Sequence, residues 1–159
     1  ESDLFISEYV EAKGNNKYIE VYNPTNVTVD LSAYSLKQNN NGKPDWTYTL
    51  ALSGTLEPKT VIIYKHPEAD LYEGGIAEDN KFGVTSFNGN EAVGLFKEDV
   101  LIDLIGYFQK GDDYAKDIIL RRKATITAPS ATYNPEEWES IKIAGTAEDV
   151  SGLGSHTMN

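Results

Sequence analysis

Short runs of β-branched and aromatic residues alternate along the whole chain with clusters of Gly, Asn, Pro and Asp, the pattern of many brief antiparallel strands. Helical periodicity is nearly absent. The pattern predicts strands at about Leu4 to Val10, Tyr18 to Tyr22, Val27 to Leu31, Tyr34 to Gln38, Trp46 to Leu50, Val61 to Tyr64, Ala92 to Lys97, Val100 to Tyr107, Ile118 to Arg122 and Ser140 to Ile143. Within the first of these, alternation puts Leu4, Ile6, Glu8 and Val10 on one face, so a core-facing Glu8 needs a partner, with Arg121 or Arg122 as candidates. Glu20 shares the parity of Tyr18 and Tyr22, opposite to Ile19 and Val21, which assigns it to the outer face.

The turns between these runs follow from backbone preference. Gly14-Asn15-Asn16 tolerates positive φ and predicts a hairpin, and Pro24 in Asn23-Pro24-Thr25-Asn26 ends the second strand because it has no N–H to donate. Asn39-Asn40-Asn41-Gly42 reads as a long exposed loop. Only Lys97-Glu98-Asp99 separates two apolar runs, so those strands are direct neighbours and candidates for the centre of the core. Two stretches carry helix-start signals: Pro67 to Tyr72, and Asn134-Pro135-Glu136-Glu137-Trp138 with an Asn cap, Pro at the first helical position and acids after it. The result is an all-β fold of residues 1–159 with one or two short helical turns in loops, and a looser tail over 149–159.

Composition narrows the function. The chain of 159 residues has 14 Lys plus Arg against 25 Asp plus Glu, a net charge of −11, which repels phosphate backbones and anionic lipid and disfavours nucleic-acid binding. The one basic run, Arg121-Arg122-Lys123, reads as a solvated strand end beside carboxylates. No cysteine occurs, which removes disulfides, thiolate metal sites and a Cys nucleophile together. No apolar run approaches the roughly 20 residues that span a bilayer.

Three groups of segments carry a family resemblance. Phe5-Ile6-Ser7-Glu8-Tyr9-Val10, then Asn15-Asn16-Lys17-Tyr18-Ile19-Glu20-Val21-Tyr22-Asn23-Pro24, then Val29-Asp30-Leu31-Ser32-Ala33-Tyr34-Ser35-Leu36 resemble the opening of a lamin-tail domain. Leu56-Glu57-Pro58, Phe87 to Val93 and Val100 to Gly106 resemble its middle. Leu120 to Lys123, Pro135 to Glu139 and Gly152 to Thr157 resemble the ending of its bacterial exported members. The resemblance implies an immunoglobulin-like β-sandwich and a non-catalytic module, extracellular or in the cell envelope. The family usually has Gly where this chain has Ala33 and Lys59. If those turns need positive φ, each substitution costs about 1 kcal/mol.

Candidate chemistry is sparse. No Gly-x-Ser-x-Gly elbow exists, and Ser155 and His156, being adjacent, point to opposite faces of an extended chain. His66 is the only other histidine, so zinc spacing is missing. Gly152-Leu153-Gly154 begins like a dinucleotide motif with no third glycine or helix to complete it. Calcium is the more reasonable ion, because oxygen-bearing loops offer Asp79, Glu91, Asp112 and Asp113, although none has EF-hand spacing. Tyr18, Tyr22, Trp46 and Tyr48 share outward parity within their strands and could stack on sugar rings.

The sequence therefore supports, first, a non-catalytic interaction or targeting module of an exported or cell-surface bacterial protein, with a protein partner or attached domain. The alternative is a carbohydrate-binding module using Tyr18, Tyr22, Trp46 and Tyr48. The third reading is an enzyme whose carboxylates meet only in the fold.

Overall fold

The computed structural model describes residues 2–159. Its strands are β1 (Phe5–Glu11), β2 (Lys17–Tyr22), β3 (Val29–Asp30), β4 (Tyr34–Asn39), β5 (Tyr48–Ala51), β6 (Thr55–Leu56), β7 (Val61–Lys65), β8 (Ile76–Ala77), β9 (Ala92–Lys97), β10 (Val100–Ile105), β11 (Ile118–Arg122) and β12 (Trp138–Lys142). One six-stranded sheet runs β12-β11-β1-β2-β7-β8 and a four-stranded sheet runs β10-β9-β4-β5, with β3 and β6 forming a small ribbon beside them. All pairings are antiparallel except β7 with β8. The two larger sheets make an immunoglobulin-like sandwich. Leu4, Ile6, Tyr9, Ile19, Val21 and Leu120 from one sheet meet Leu36, Val93, Leu95 and Leu104 from the other, all buried, and this apolar burial is the main stabilising term.

The middle of that core is β1 and β2, not the β9–β10 hairpin. β9 is internal to its sheet, but β10 lies at the sheet edge. The turn between them takes positive φ at Glu98 and Asp99, 47° and 64°, as a two-residue hairpin turn requires. The predicted strand at 27–31 shrinks to β3 followed by a 3-10 turn at Leu31–Ala33, capped by the Asp30 side chain. No helix forms over 67–72. Asn16 Oδ1 accepts the backbone N–H groups of Asp70 and Leu71 at 2.9 and 3.0 Å, so the segment hydrogen-bonds to the hairpin turn instead of to itself. At 134–138 one 3-10 turn, Pro135–Glu137, forms with the Asn134 side chain as its cap.

A β-bulge decides which side chains face inward. The β1–β2 register shifts between Ile6 and Glu8, so Ser7 is the extra residue and the alternation reverses after it. Leu4, Ile6 and Tyr9 therefore face the core between the sheets, while Glu8 and Val10 face the opposite side. Glu8 is thus on the outer face, contrary to strict alternation.

That outer face is not open to solvent. Val150 and Leu153 pack on Val10, Tyr18, Ile63 and Ile119 as a second buried cluster. The chain after β12 makes a 3-10 turn at Ala147–Val150, where Asp149 accepts the N–H groups of Ala144 and Gly145, and then crosses the sheet as a strap. The 149–159 segment, expected to be looser, is a third layer, because Val150 and Leu153 in a largely polar tail had an apolar sheet face to bury.

Candidate functional site

Three adjacent strands bring Arg121, Glu8 and Glu20 into one row across β11, β1 and β2. Arg121 Nε donates to Glu8 Oε1 at 2.9 Å. Glu20 accepts from the Ser7 hydroxyl at 2.7 Å and from the Gly154 N–H at 2.8 Å, so the strap is hydrogen-bonded to the sheet through this carboxylate. Gly152 lies directly over the Arg121 guanidinium, with no room for a Cβ. The Gly152-Leu153-Gly154 run is thus the close approach of the strap to the sheet, not a phosphate loop.

Burial sets the protonation of this layer. Desolvation raises the Glu20 pKa to about 7 despite the two hydrogen bonds, and also raises that of Glu8 against the pull of Arg121. His156 stands edge-on to Tyr22 and Phe5, with ring centroids 4.9 and 5.8 Å away. Burial, and secondarily the Arg122 and Arg121 charges, lower its pKa to about 4, so it is a neutral ring at physiological pH. Glu8 and Glu20 hold the strap down, while His156 lines an open cleft of about 300 Å³ with Arg121, Arg122, Ser155 and Thr157.

Arg122 does not pair with Glu8. It reaches between the sheets to Asp103 on β10 in a bidentate pair of 2.9 and 3.0 Å, donates to the Ile6 carbonyl at 2.7 Å, and lies over the Trp138 ring. Asp103 also accepts from the N–H groups of Ile6 and Ser130. Both side chains are buried, and every Asp103 oxygen is used. The signal was present in the sequence: Asp103 is the lone charge inside the apolar run Val100 to Ile105.

The aromatic residues expected to form an exposed platform are dispersed. Tyr18 and Tyr22 are on the outer face of their strand, but the strap and the 67–72 segment bury them, and the Tyr18 hydroxyl is tied to Asn16 and the Tyr72 N–H. Trp46 stacks on Phe108 at 4.7 Å. Tyr48 alone lines a cleft, together with Asn15, Asn40, Phe82 and Asn88. The acidic residues weighed for calcium are likewise apart. Asp79, Asp112 and Asp113 are exposed, whereas Glu91 is buried and accepts the Asn88 N–H at 2.7 Å. Among the described residues no three His, Asp or Glu side chains gather where a metal could be held.

The other feature open to a partner is an edge. β5 pairs with β4 alone, and because Leu52 N–H donates to the Tyr34 carbonyl, the alternate residues Thr49 and Ala51 direct their N–H and C=O groups away from the sheet. The run Tyr48 to Ser53 contains no charge and no proline. Beside it, between the two sheets, lies a slot of about 80 Å³ lined by Leu50, Leu52, Tyr64 and the exposed Ile76. The Tyr64 hydroxyl is buried without a hydrogen-bond partner among the described residues.

The sequence profile of the family described as Lamin Tail Domain matches residues 1–109, and no curated protein matches the chain. The matched region ends after β10, while β11, β12 and the strap, which supply Arg121, Arg122 and Gly154 to the network above, lie beyond it. With more than half its length matched and an immunoglobulin-like sandwich to go with it, this chain belongs to the lamin tail domain family.

Proposed function

We propose that the chain is a non-catalytic docking module of an exported or cell-surface bacterial protein, and that it takes up an extended segment of a partner protein along β5. The observation that carries the reading is the unprotected β5 edge. Exposed edges in folded proteins are ordinarily blocked by charge, proline or a covering loop, and an unblocked one is a template for strand addition. Here the outward N–H and C=O groups of Thr49 and Ala51 would supply the ladder, and the slot beside Leu50, Tyr64 and Ile76 would take one apolar side chain of the added strand. The net charge of −11 favours a partner whose segment is flanked by Lys or Arg. The exported setting is supported by the likeness of the Gly152 to Thr157 ending to bacterial exported members of the family.

Selection of peptides from a random dodecapeptide display library tests the docking. Alternating β-branched or apolar sequences with basic flanks should be enriched, and their amide-resonance footprint should centre on residues 48–53. Ala51→Pro removes an outward N–H without touching a β4–β5 hydrogen bond, so it should weaken the selected peptides by at least about tenfold with the fold intact. Equal binding to Ala51→Pro, or a footprint elsewhere, refutes strand addition. Fractionation of cells producing the native precursor tests the location, and a cytoplasmic product would refute it.

A further inference from the structure

The cleft at the start of β5 lies outside this edge and carries a different chemistry. We infer that it binds a neutral saccharide, with Phe82 as the platform for the sugar ring and the Asn40 and Asn88 amides as the hydroxyl readers. The cleft has a volume of about 480 Å³, inside the usual range for small-molecule sites.

Phe82 is the starting point. A phenyl ring that is 71% exposed forgoes most of its burial energy, yet this one stands on a tethered loop. Its N–H donates to Asn80 Oδ1 at 2.9 Å, and on either side Glu78 is anchored by the Val84 and Thr85 N–H groups while Lys81 pairs with Glu68 at 3.4 Å. The ring is therefore presented at the cleft rim by hydrogen bonds around it. Aromatic faces of this kind accept the C–H face of a pyranose, as they accept other polarised C–H groups and cations.

The polar lining is unspent. Among the described residues the side-chain amides of Asn40 and Asn88 and the Tyr48 hydroxyl make no hydrogen bond within the protein, and all three line the cleft. Each amide offers a carbonyl acceptor beside an NH2 donor, the pairing that adjacent sugar hydroxyls satisfy, since each hydroxyl both donates and accepts. The charges near the cleft are already neutralised in pairs, Lys81 by Glu68 and Lys17 by Glu11. His66 uses Nδ1 to accept the Glu68 N–H, which fixes the floor. With no unpaired cation in the lining, a phosphate or carboxylate ligand gains nothing, whereas a neutral polyol can use every group that is free.

Titration of the intact chain with cellotetraose, xylotetraose, mannotetraose and chitotetraose, followed by backbone amide and side-chain NH2 resonances, is the test. At least one should shift Asn40, Tyr48, Phe82 and Asn88 together, and Phe82→Ala, an exposed substitution that leaves the melting temperature in place, should weaken it about tenfold or more. Asn88→Ala should weaken it while Ala51→Pro leaves it unchanged, which separates this site from the β5 edge. Three results would overturn the proposal: no shift from any of the four sugars at about 10 mM, where even millimolar affinity shows; binding indifferent to Phe82→Ala; or a cleft that responds to a selected strand-adding peptide and to no sugar.

Discussion

Acidification pulls the strap in two directions, and removing one residue at a time should separate them. In the folded chain Glu20 takes a proton at about 7 instead of an ordinary 4.5. Between those values the folded state holds a proton the unfolded chain has released, so the Glu20 contribution grows as pH falls through 7 and is complete below 4.5. At about 1.4 kcal/mol per pH unit the full effect is about 3 kcal/mol. His156 works with the opposite sign. Its folded value of about 4 lies below the ordinary 6.5, so its contribution is present above 6.5 and lost as pH falls toward 4, by about 2 kcal/mol once the partial exposure of the ring is allowed for. Between pH 7 and 5 His156 offsets about half of the Glu20 gain, so the melting temperature of the native chain should rise less steeply than Glu20 alone would make it. His156→Leu keeps an apolar group between Phe5 and Tyr22 and leaves Glu20 unopposed, so its melting temperature should rise on acidification by about 6 °C over that window. Glu20→Gln can still accept the Gly154 N–H and can donate to a rotated Ser7 hydroxyl, and it removes the Glu20 gain, so its melting temperature should drop relative to the native curve by about 6 °C over the same window. Differential scanning calorimetry at pH 7, 6 and 5 measures both. Curves for the two variants that run parallel to the native one would refute the opposed pair.

The remaining expectations concern packing. Asp103→Ala takes the bidentate partner from the buried Arg122 guanidinium, leaving it Glu137 at 3.2 Å as its charge partner, and should cost about 3 kcal/mol by urea unfolding, while Asp103→Leu combined with Arg122→Met should recover most of it. Gly152→Ala forces the Arg121 guanidinium aside and off Glu8, and should cost about 1–3 kcal/mol for the charged hydrogen bond lost, a loss that should shrink in an Arg121→Ala background. Lys59 sits at φ 59°, so Lys59→Gly should relieve up to about 1 kcal/mol of backbone strain, less the bond from its ammonium to the Pro24 carbonyl. Ala33 is not among the positive-φ residues, so Ala33→Gly should lower the melting temperature.

What the sequence conveyed and what it concealed divide along one physical line. Period-two runs and turn residues are local, and they located β1, β2, β4, β7, β9, β10 and β11 to within a residue or two. The parity of Glu8 is not local. One bulged residue, Ser7, exchanges the faces of everything after it in the strand, and no property of Phe5-Ile6-Ser7-Glu8-Tyr9-Val10 marks where the extra residue falls. Partner choice fails for the same reason: Arg121 and Arg122 are equivalent as neighbours in a basic run, but they project from opposite faces of β11, one to Glu8 under the strap and one to Asp103 between the sheets.

The aromatic residues show how such an inversion reaches function. Tyr18 lies on the outer face of β2, yet outward means exposed only if nothing crosses that face, and Val150 and Leu153 do cross it. A Gly/Ser-rich tail gives little sign of packing, because Val150 and Leu153, set three apart, make too short a pattern to distinguish a strap from a loose end. The free ring is Phe82, in a loop where strand parity says nothing, and of the amides that accompany it Asn88 comes from the same β8–β9 connection and Asn40 from the β4–β5 loop. The Asn-rich stretches 39–41 and 88–90 were legible as turns, and turn chemistry is reason enough for asparagine there. Only their convergence around one exposed ring, with side chains left unbonded, distinguishes a binding surface from two ordinary loops, and convergence between positions 40, 82 and 88 is a property of the sandwich, which folds the loops at one end of its sheets against each other.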